Sequence, residues 1–194
     1  MIQAGSQGTS GPRYLLLKAT ALYLPVRDDS VSLVIATPPD FGSKRFGKAG
    51  FCTTNPQEYQ QLLEKALAEC VRIVEPHGRI LVLRRGGKNN SNKVIDVYKK
   101  RLRGRRCVQR IRSESFHVHY VNVQSFHWQA LPVSFYRILI HRYSAPGQYV
   151  THVFSGSGNS GIAAMQLART PILIDLHYQR QTQARLNRKL YSLK

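Results

Sequence analysis

V-T-H-V-F-S-G-S-G-N-S-G-I-A-A-M-Q-L-A-R-T-P-I-L-I-D, residues Val150 to Asp175, is the stretch that decides the fold. An apolar run (Tyr149–Phe154) leads into Gly156, Gly158 and Gly161. A helix-like run follows (Ser160–Ala168), then a second apolar run (Ile172–Ile174) that ends on Asp175. The pattern predicts a strand, a tight glycine turn, a helix, a strand and an acid. Glycines let a backbone approach a ligand, a helix N-terminus offers N–H groups, and a carboxylate at the second strand end can accept bonds from ribose hydroxyls. Adenine-nucleotide-like cofactors suit that arrangement. A bare glycine triplet is weak evidence, but here the flanking strand, helix and acid are present too.

Working outward, Tyr14–Leu17 reads as a short strand and Val31–Ala36 as a more buried one. The latter stops at Thr37-Pro38-Pro39-Asp40, where two prolines end ladder bonding. A Gly/Lys/Arg loop follows from Phe41 to Gly50. Asn55-Pro56-Gln57-Glu58 predicts a helix start with Asn55 as cap and Glu58 completing a capping box. Tyr59, Leu62, Leu63, Ala66, Leu67, Cys70 and Val71 then recur on one helical face. Glu75-Pro76-His77-Gly78 ends that helix, and Arg79–Leu83 is the next strand. Strand–helix–strand units imply parallel pairing. Further on, the sequence predicts a helix over Ser91–Leu102, a strand over Ser115–Phe126, a helix over Leu131–Tyr143 and a basic helix over Gln179–Leu193. Met1–Pro12 is rich in Gly, Ser and Gln and reads as a mobile arm, neither a signal peptide nor a membrane span. The remainder, from residue 14 to 194, reads as a single domain.

The formal net charge of +19 over 194 residues predicts a polyanionic partner, DNA or RNA, and no membrane. Lys99, Lys100, Arg101, Arg103, Arg105, Arg106, Arg110 and Arg112 form the densest run, and Lys44 and Arg45 add to the loop after the prolines. The bland alternative for such a run is a solvated helix end. Cys52, Cys70 and Cys107 lack metal spacing and suggest no disulfide framework, which fits a reducing cytosol. His117, His119 and His127 alternate without a third ligand at suitable spacing, so no metal site is expected. Ser155 and Ser157 lack the His and Asp partners of a hydrolase.

Three blocks resemble the S-adenosylmethionine-dependent DNA methyltransferases that act on exocyclic amines. They are Asp28–Pro39, Tyr59–Leu83 and Ala130–Asp175. Their order is similar to the permuted subclass, in which the catalytic motif precedes the cofactor motif. The resemblance implies an α/β, Rossmann-like methyltransferase fold: a mostly parallel sheet with helices on both faces and circularly permuted motif order. It implies that Thr37 and the Pro38 carbonyl accept hydrogen bonds from the amine, orienting its nitrogen for in-line transfer, with Pro39 completing the motif. Asp40 and Phe41 would frame a base flipped out of the duplex, Phe41 by stacking. Phe154, Ser155, Gly156, Ser157, Gly158 and Asp175 would hold the cofactor, with Thr20 near its adenine and Pro132 and Val133 near its methionine end. The basic segment 88–125 stands where the family inserts target-recognition material. Thr37 before Pro-Pro leans toward cytosine over adenine.

The chain departs from the family pattern at three places. Asp40 occupies the aromatic position, His152-Val153-Phe154 replaces Asp-Pro-Phe, and Ala19-Thr20-Ala21 replaces Gly-Asp-Ala. A second reading is therefore a methyltransferase fold that has lost catalysis and serves as a basic nucleic-acid-binding or assembly subunit. A third, a nicotinamide-dependent oxidoreductase, leaves too few residues after Tyr149 for its usual strand order. The resemblance further implies a homodimer or a place in a larger complex, and a cytoplasmic location, nucleoid-associated if DNA is the substrate.

Overall fold

β-Branched and aliphatic residues at alternating positions build one sheet, whose chain order is set by which strand ends carry helices. The computed structural model describes residues 2–5, 14–42, 53–85, 92–100, 108–117, 121–123, 127–177 and 179–192. The elements are β1 (Ile2–Gly5), β2 (Tyr14–Lys18), β3 (Val31–Ala36), α1 (Pro56–Ile73), β4 (Val74–Arg85), β5 (Asn92–Lys100) and β6 (Val108–His117). They continue as β7 (Val121–Val123), β8 (His127–Ala130), α2 (Val133–Tyr143), β9 (Tyr149–Val153), α3 (Asn159–Gln166), β10 (Thr170–Asp175) and α4 (Gln179–Ser192). Eight described strands form one sheet in the order β1-β2-β10-β9-β3-β4-β5-β6, and β7 pairs with β8 separately. β2, β10, β9, β3 and β4 are mutually parallel, as strand–helix–strand connections require.

The chain leaves β9 through α3 toward β10, and leaves β3 through α1 toward β4, in opposite directions along the sheet. The two helices also cover opposite faces. Val34, Ala36 and Val153 pack under Ala66, Cys70 and Ile73 of α1. Leu33, Ile35 and Val150 pack under α2 and α3 through Leu139, Ile140, Ala163 and Ala164. A crevice opens at the carboxyl ends of two parallel strands where connections diverge like this. Cys70 lies in the α1 layer, and burial, helped by nearby Glu69, pushes its thiol up to about 12.

Four expectations need correction. The segment expected as a helix over Ser91–Leu102 is strand β5, antiparallel to both β4 and β6. Its apolar residues alternate: Ile95 and Val97 enter the α2 layer, while Asp96 turns to Arg84 and Ser113. Stiff β-branched side chains at that period favour a strand when partners stand on both sides. The stretch Ser115–Phe126 is split between β6 and β7, which belong to different sheets. Ile2–Gly5, within the expected mobile arm, adds an edge strand antiparallel to β2. The capping box is relayed: Asn55 Oδ1 accepts from the Gln57 and Glu58 amides at 2.9 and 3.2 Å, but Glu58 takes the Thr53 hydroxyl. Thr53 Oγ1 in turn accepts the Asn55 amide at 3.0 Å.

Lys100, expected to contact phosphate, is only 1% exposed. Its ammonium donates to Asp29 Oδ1 at 2.5 Å and to the Val71 and Val74 carbonyls at 2.8 Å each, around the C-terminus of α1. The negative end of the helix dipole and unsatisfied carbonyls recruit it there. Lys100→Ala would strand those acceptors and is expected to lower stability by roughly 3–5 kcal/mol in urea melts. Nucleic-acid affinity in the same variant should stay at the wild-type value, which a direct phosphate contact would not allow.

Candidate active site

The β3–β9 ladder runs Leu33↔Val150 to Ala36↔Val153, and the Thr37 amide extends it by donating to the Val153 carbonyl at 3.2 Å. That pairing brings the Thr37-Pro38-Pro39 turn against the start of the glycine loop. Thr37 Oγ1 donates to the Phe154 carbonyl at 2.9 Å. Phe154 adopts φ 64°, a left-handed backbone that a non-glycine residue holds at a cost of about 1–3 kcal/mol. The turn of the chain there directs the Phe154 carbonyl to Thr37.

Between the ends of β2, β3, β9 and β10 lies a small cleft that opens to solvent. Ala19, Thr20, Ala21, Pro39, Phe154 and Asp175 are among its lining residues. Thr20, Pro39, Phe154 and Asp175 are thus gathered there, with Thr37 one hydrogen bond away. Thr20 Oγ1 also accepts the Leu22 amide of its own turn at 3.3 Å.

Asp175 is 9% exposed, and its oxygens accept the Gly156 and His177 amides at 2.7 Å each. Burial raises its pKa, opposed by those amides and by His177. The acid expected to meet a ligand therefore also shapes the glycine loop. Ser155, Gly156, Ser157 and Gly158 are buried and are not among the residues that line the cleft; their groups meet β10 and α4. The Ser155 amide donates to Ile174 O at 3.1 Å, while the Ser155 hydroxyl has no partner among the described residues. Thr182 Oγ1 donates to Gly156 O at 2.8 Å, and Arg185 donates to Ser157 O and, at 2.7 Å, to Asn159 Oδ1. Asn159 Nδ2 reaches Leu131 O at 2.8 Å, tying the loop to the start of α2 beside Pro132, the cap residue of that helix, and Val133.

Phe41 is 49% exposed and meets Tyr59 edge-on, with ring centroids 5.5 Å apart. Tyr59 donates its hydroxyl to Pro39 O at 2.8 Å, and burial together with Asp40 raises its pKa. Sequence reading had Tyr59 only as part of the α1 stripe. It also missed Thr182 and Arg185, although Thr182 and Leu186 share one face of α4 at helical spacing. His152 was noted as a departure, yet it is the residue that links the two motifs: Nε2 lies 3.0 Å from Thr37 Oγ1 and Nδ1 lies 2.6 Å from Ser160 Oγ.

Of the basic residues expected at a nucleic-acid surface, Lys99 is half-buried on β5. Arg110 is exposed on edge strand β6, 3.7 Å from Asp96. That edge is three strand spacings, about 14 Å, from β3. Lys44, Arg45, Arg101, Arg103, Arg105 and Arg106 lie outside the described residues, as do Cys52, Cys107 and His119. Among the described residues no group of three or more His, Cys, Asp or Glu could hold a metal ion, and no helix is long and apolar enough to cross a membrane.

Solved structures share this architecture. A candidate DNA modification methylase from Thermus thermophilus aligns with a TM-score of 0.60 at 17% identity, over 90% of this chain and 94% of that one. PvuII DNA methyltransferase, cytosine-N4-specific, aligns at 0.56 and 13% identity, over 92% and 93% of the two chains. M1.HpyAVI in complex with SAM aligns at 0.54 and 18% identity, over 90% and 100%. The chain has the DNA methyltransferase fold. No family model matches it, and no curated protein does. Within that fold, the cleft at the β3–β9 divergence is where the glycine loop and the Thr-Pro-Pro turn meet.

Gly158, at φ 75°, has no room for a side chain: a Cβ would stand 2.6 Å from Thr182 Cγ2. Gly158→Ala is expected to destabilise the protein by roughly 2–4 kcal/mol, combining the clash with left-handed strain. Adding Thr182→Ser removes the offending methyl and keeps the hydroxyl. Thermal melts of the double variant should therefore recover the steric part and retain about 1–2 kcal/mol of backbone cost.

Proposed function

We propose that this protein transfers a methyl group from S-adenosylmethionine to an exocyclic amine of a base in DNA, with cytosine the favoured target. One observation carries the reading: Thr37 of the Thr-Pro-Pro turn is joined at 2.9 Å to Phe154 of the glycine loop, which lines a single cleft together with Pro39 of the same turn. The residues present fit the cofactor. Ala19, Ala21, Val153 and Ile174 suit an adenine ring, Asp175 suits ribose hydroxyls, and the partnerless buried Ser155 hydroxyl suits a polar ligand group. Phe154, Gly156, Ser157, Gly158, Thr20, Pro132 and Val133 would complete the binding shell.

When bound, S-adenosylmethionine supplies an electrophilic methyl on a sulfonium, and the electron pair of the broken C–S bond stays on sulfur. Thr37 Oγ1 and the Pro38 carbonyl accept the amine N–H groups. That concentrates lone-pair density on the nitrogen, which forms the new N–C bond while one proton leaves to solvent. Positioning and fixed dipoles supply the rate. Phe41, propped by Tyr59, stacks on the base, which must leave the duplex to reach the cleft. The exposed cations of β6 and the +19 charge supply sequence-independent phosphate affinity that falls with salt.

A second reading, a nucleic-acid-binding protein without transfer, draws on the double engagement of the Thr37 hydroxyl by Phe154 and His152. One experiment separates the two. Calorimetry should show S-adenosylmethionine binding that Asp175→Ala weakens by roughly tenfold, about 1.4 kcal/mol. Labelled methyl should appear on unmodified DNA, and Thr37→Val should cut turnover by about 100-fold. Digestion of the product should yield N4-methylcytosine; N6-methyladenine would reassign the base. Absence of heat at millimolar cofactor, with strong and salt-sensitive DNA binding, would favour the second reading.

A further inference from the structure

His152 is 1% exposed, and three polar groups surround it in series. Ser160 Oγ, in the first turn of α3, lies 2.6 Å from Nδ1. Thr37 Oγ1 lies 3.0 Å from Nε2, and the same oxygen lies 2.9 Å from the Phe154 carbonyl. Proton counting fixes the direction of the chain. A carbonyl can only accept, so the single Thr37 hydroxyl proton goes to Phe154 O. Nε2 must then carry the proton it shares with Thr37. In the neutral ring Nδ1 is left as an acceptor, and the Ser160 hydroxyl donates to it. With the ring neutral, every member of the series has one direction only.

We propose that His152 is a positioning residue that makes Thr37 an acceptor-only group toward the substrate. The unconstrained threonine hydroxyl can rotate, donating to a ring carbonyl or accepting from a ring amine. Here its proton is committed and one lone pair is taken, so what it can offer a third partner is a lone pair. A base edge presenting an N–H donor is accepted. An edge presenting a carbonyl oxygen meets oxygen against oxygen and leaves a buried polar group unpaired, the kind of mismatch that supports strong discrimination. The class selected is therefore amino-bearing bases over keto-bearing ones. The Tyr136 ring, with its centroid 5.3 Å away, fixes the plane of the imidazole from the α2 side. The choice of substrate rests on the methyl-transfer reading above; the hydrogen-bond series does not.

The two parts are tested separately. Nitrogen-15 NMR of the wild-type imidazole should show Nε2 protonated and Nδ1 bare; an Nδ1–H tautomer or an imidazolium overturns the series whatever the activity. For turnover, His152→Gln puts its amide where Nε2 stands and keeps a donor for Thr37, whereas His152→Asn reaches only the Nδ1 position. Gln should keep kcat within about tenfold of wild type. Asn should lose roughly 100-fold in kcat with KM for DNA unchanged. Equal losses in both, with unchanged cofactor affinity, would reduce His152 to core filling. If either variant fails to fold, Ser160→Ala stands in: it should yield mixed tautomers and a lower kcat, and an unaltered nitrogen-15 pattern refutes the proposal. A wild type that carries Nε2–H but methylates no DNA sinks the methyl-transfer reading and supports the series. An active wild type with Nδ1–H sinks the series alone.

Discussion

The parallel pairing of β3 with β9 is the contact on which the rest of the molecule depends. These strands are far apart in sequence, yet their register from Leu33↔Val150 to Ala36↔Val153 places two chain turns side by side. Because α1 and α3 leave in opposite directions and cover opposite faces, neither helix fills the space beyond the strand ends. A crevice results from topology alone. What this chain adds is a local bond beside it, from the Thr37 hydroxyl to the carbonyl of Phe154, whose backbone is left-handed.

The glycine loop is held by three bonds from two elements, which is the structural cost of presenting a flexible sequence in one shape. Asp175 takes its Gly156 amide, Thr182 takes its Gly156 carbonyl, and Arg185 takes the Ser157 carbonyl. Each bond satisfies a backbone group that would otherwise be buried without a partner. The same carboxylate and helix thus fix the shape of the loop. Substitutions in α4, with no contact to the cleft, are coupled to the glycine loop beside it. On the other flank, Tyr59 does for the Thr-Pro-Pro turn what α4 does for the glycine loop: its hydroxyl holds Pro39 and its ring supports Phe41.

Much of this was legible in the sequence where local chemistry is unambiguous. Val31–Ala36 is a strand at the expected bounds because four of its residues are aliphatic and two prolines follow. Asn55-Pro56 starts α1 because an amide acceptor and a fixed φ both favour that position. The strand–glycine–helix–strand unit also stands. Failure came where tertiary partners decide. Val94, Ile95, Val97 and Tyr98 fit a helical stripe and an alternating strand about equally. The hydrogen-bonding edges of β4 and β6 resolve the ambiguity. Lys100 sits in a run of cations, and only the position of the α1 C-terminus reveals that it is buried. The pairing of His152 with Thr37 spans more than a hundred residues and has no local signal.

The charge of the chain and the chemistry of its cleft act at different ranges. Charge on the β6 edge and in the basic segments attracts a polyanion across solvent without reading it. In the proposed reaction the cleft acts over single hydrogen bonds, at an amine and a ribose. The central claim is that a nucleoside-type methyl donor enters between the Thr37 turn and the glycine loop. Amide chemical-shift mapping during titration with S-adenosylmethionine tests it most directly. The account predicts that the largest shifts fall on residues 19–21, 154–158 and 175–177. It is contradicted if none of these moves at saturating donor, or if the shifts gather in the basin at the opposite end of the sheet, around Ser32, Gly78 and Arg142.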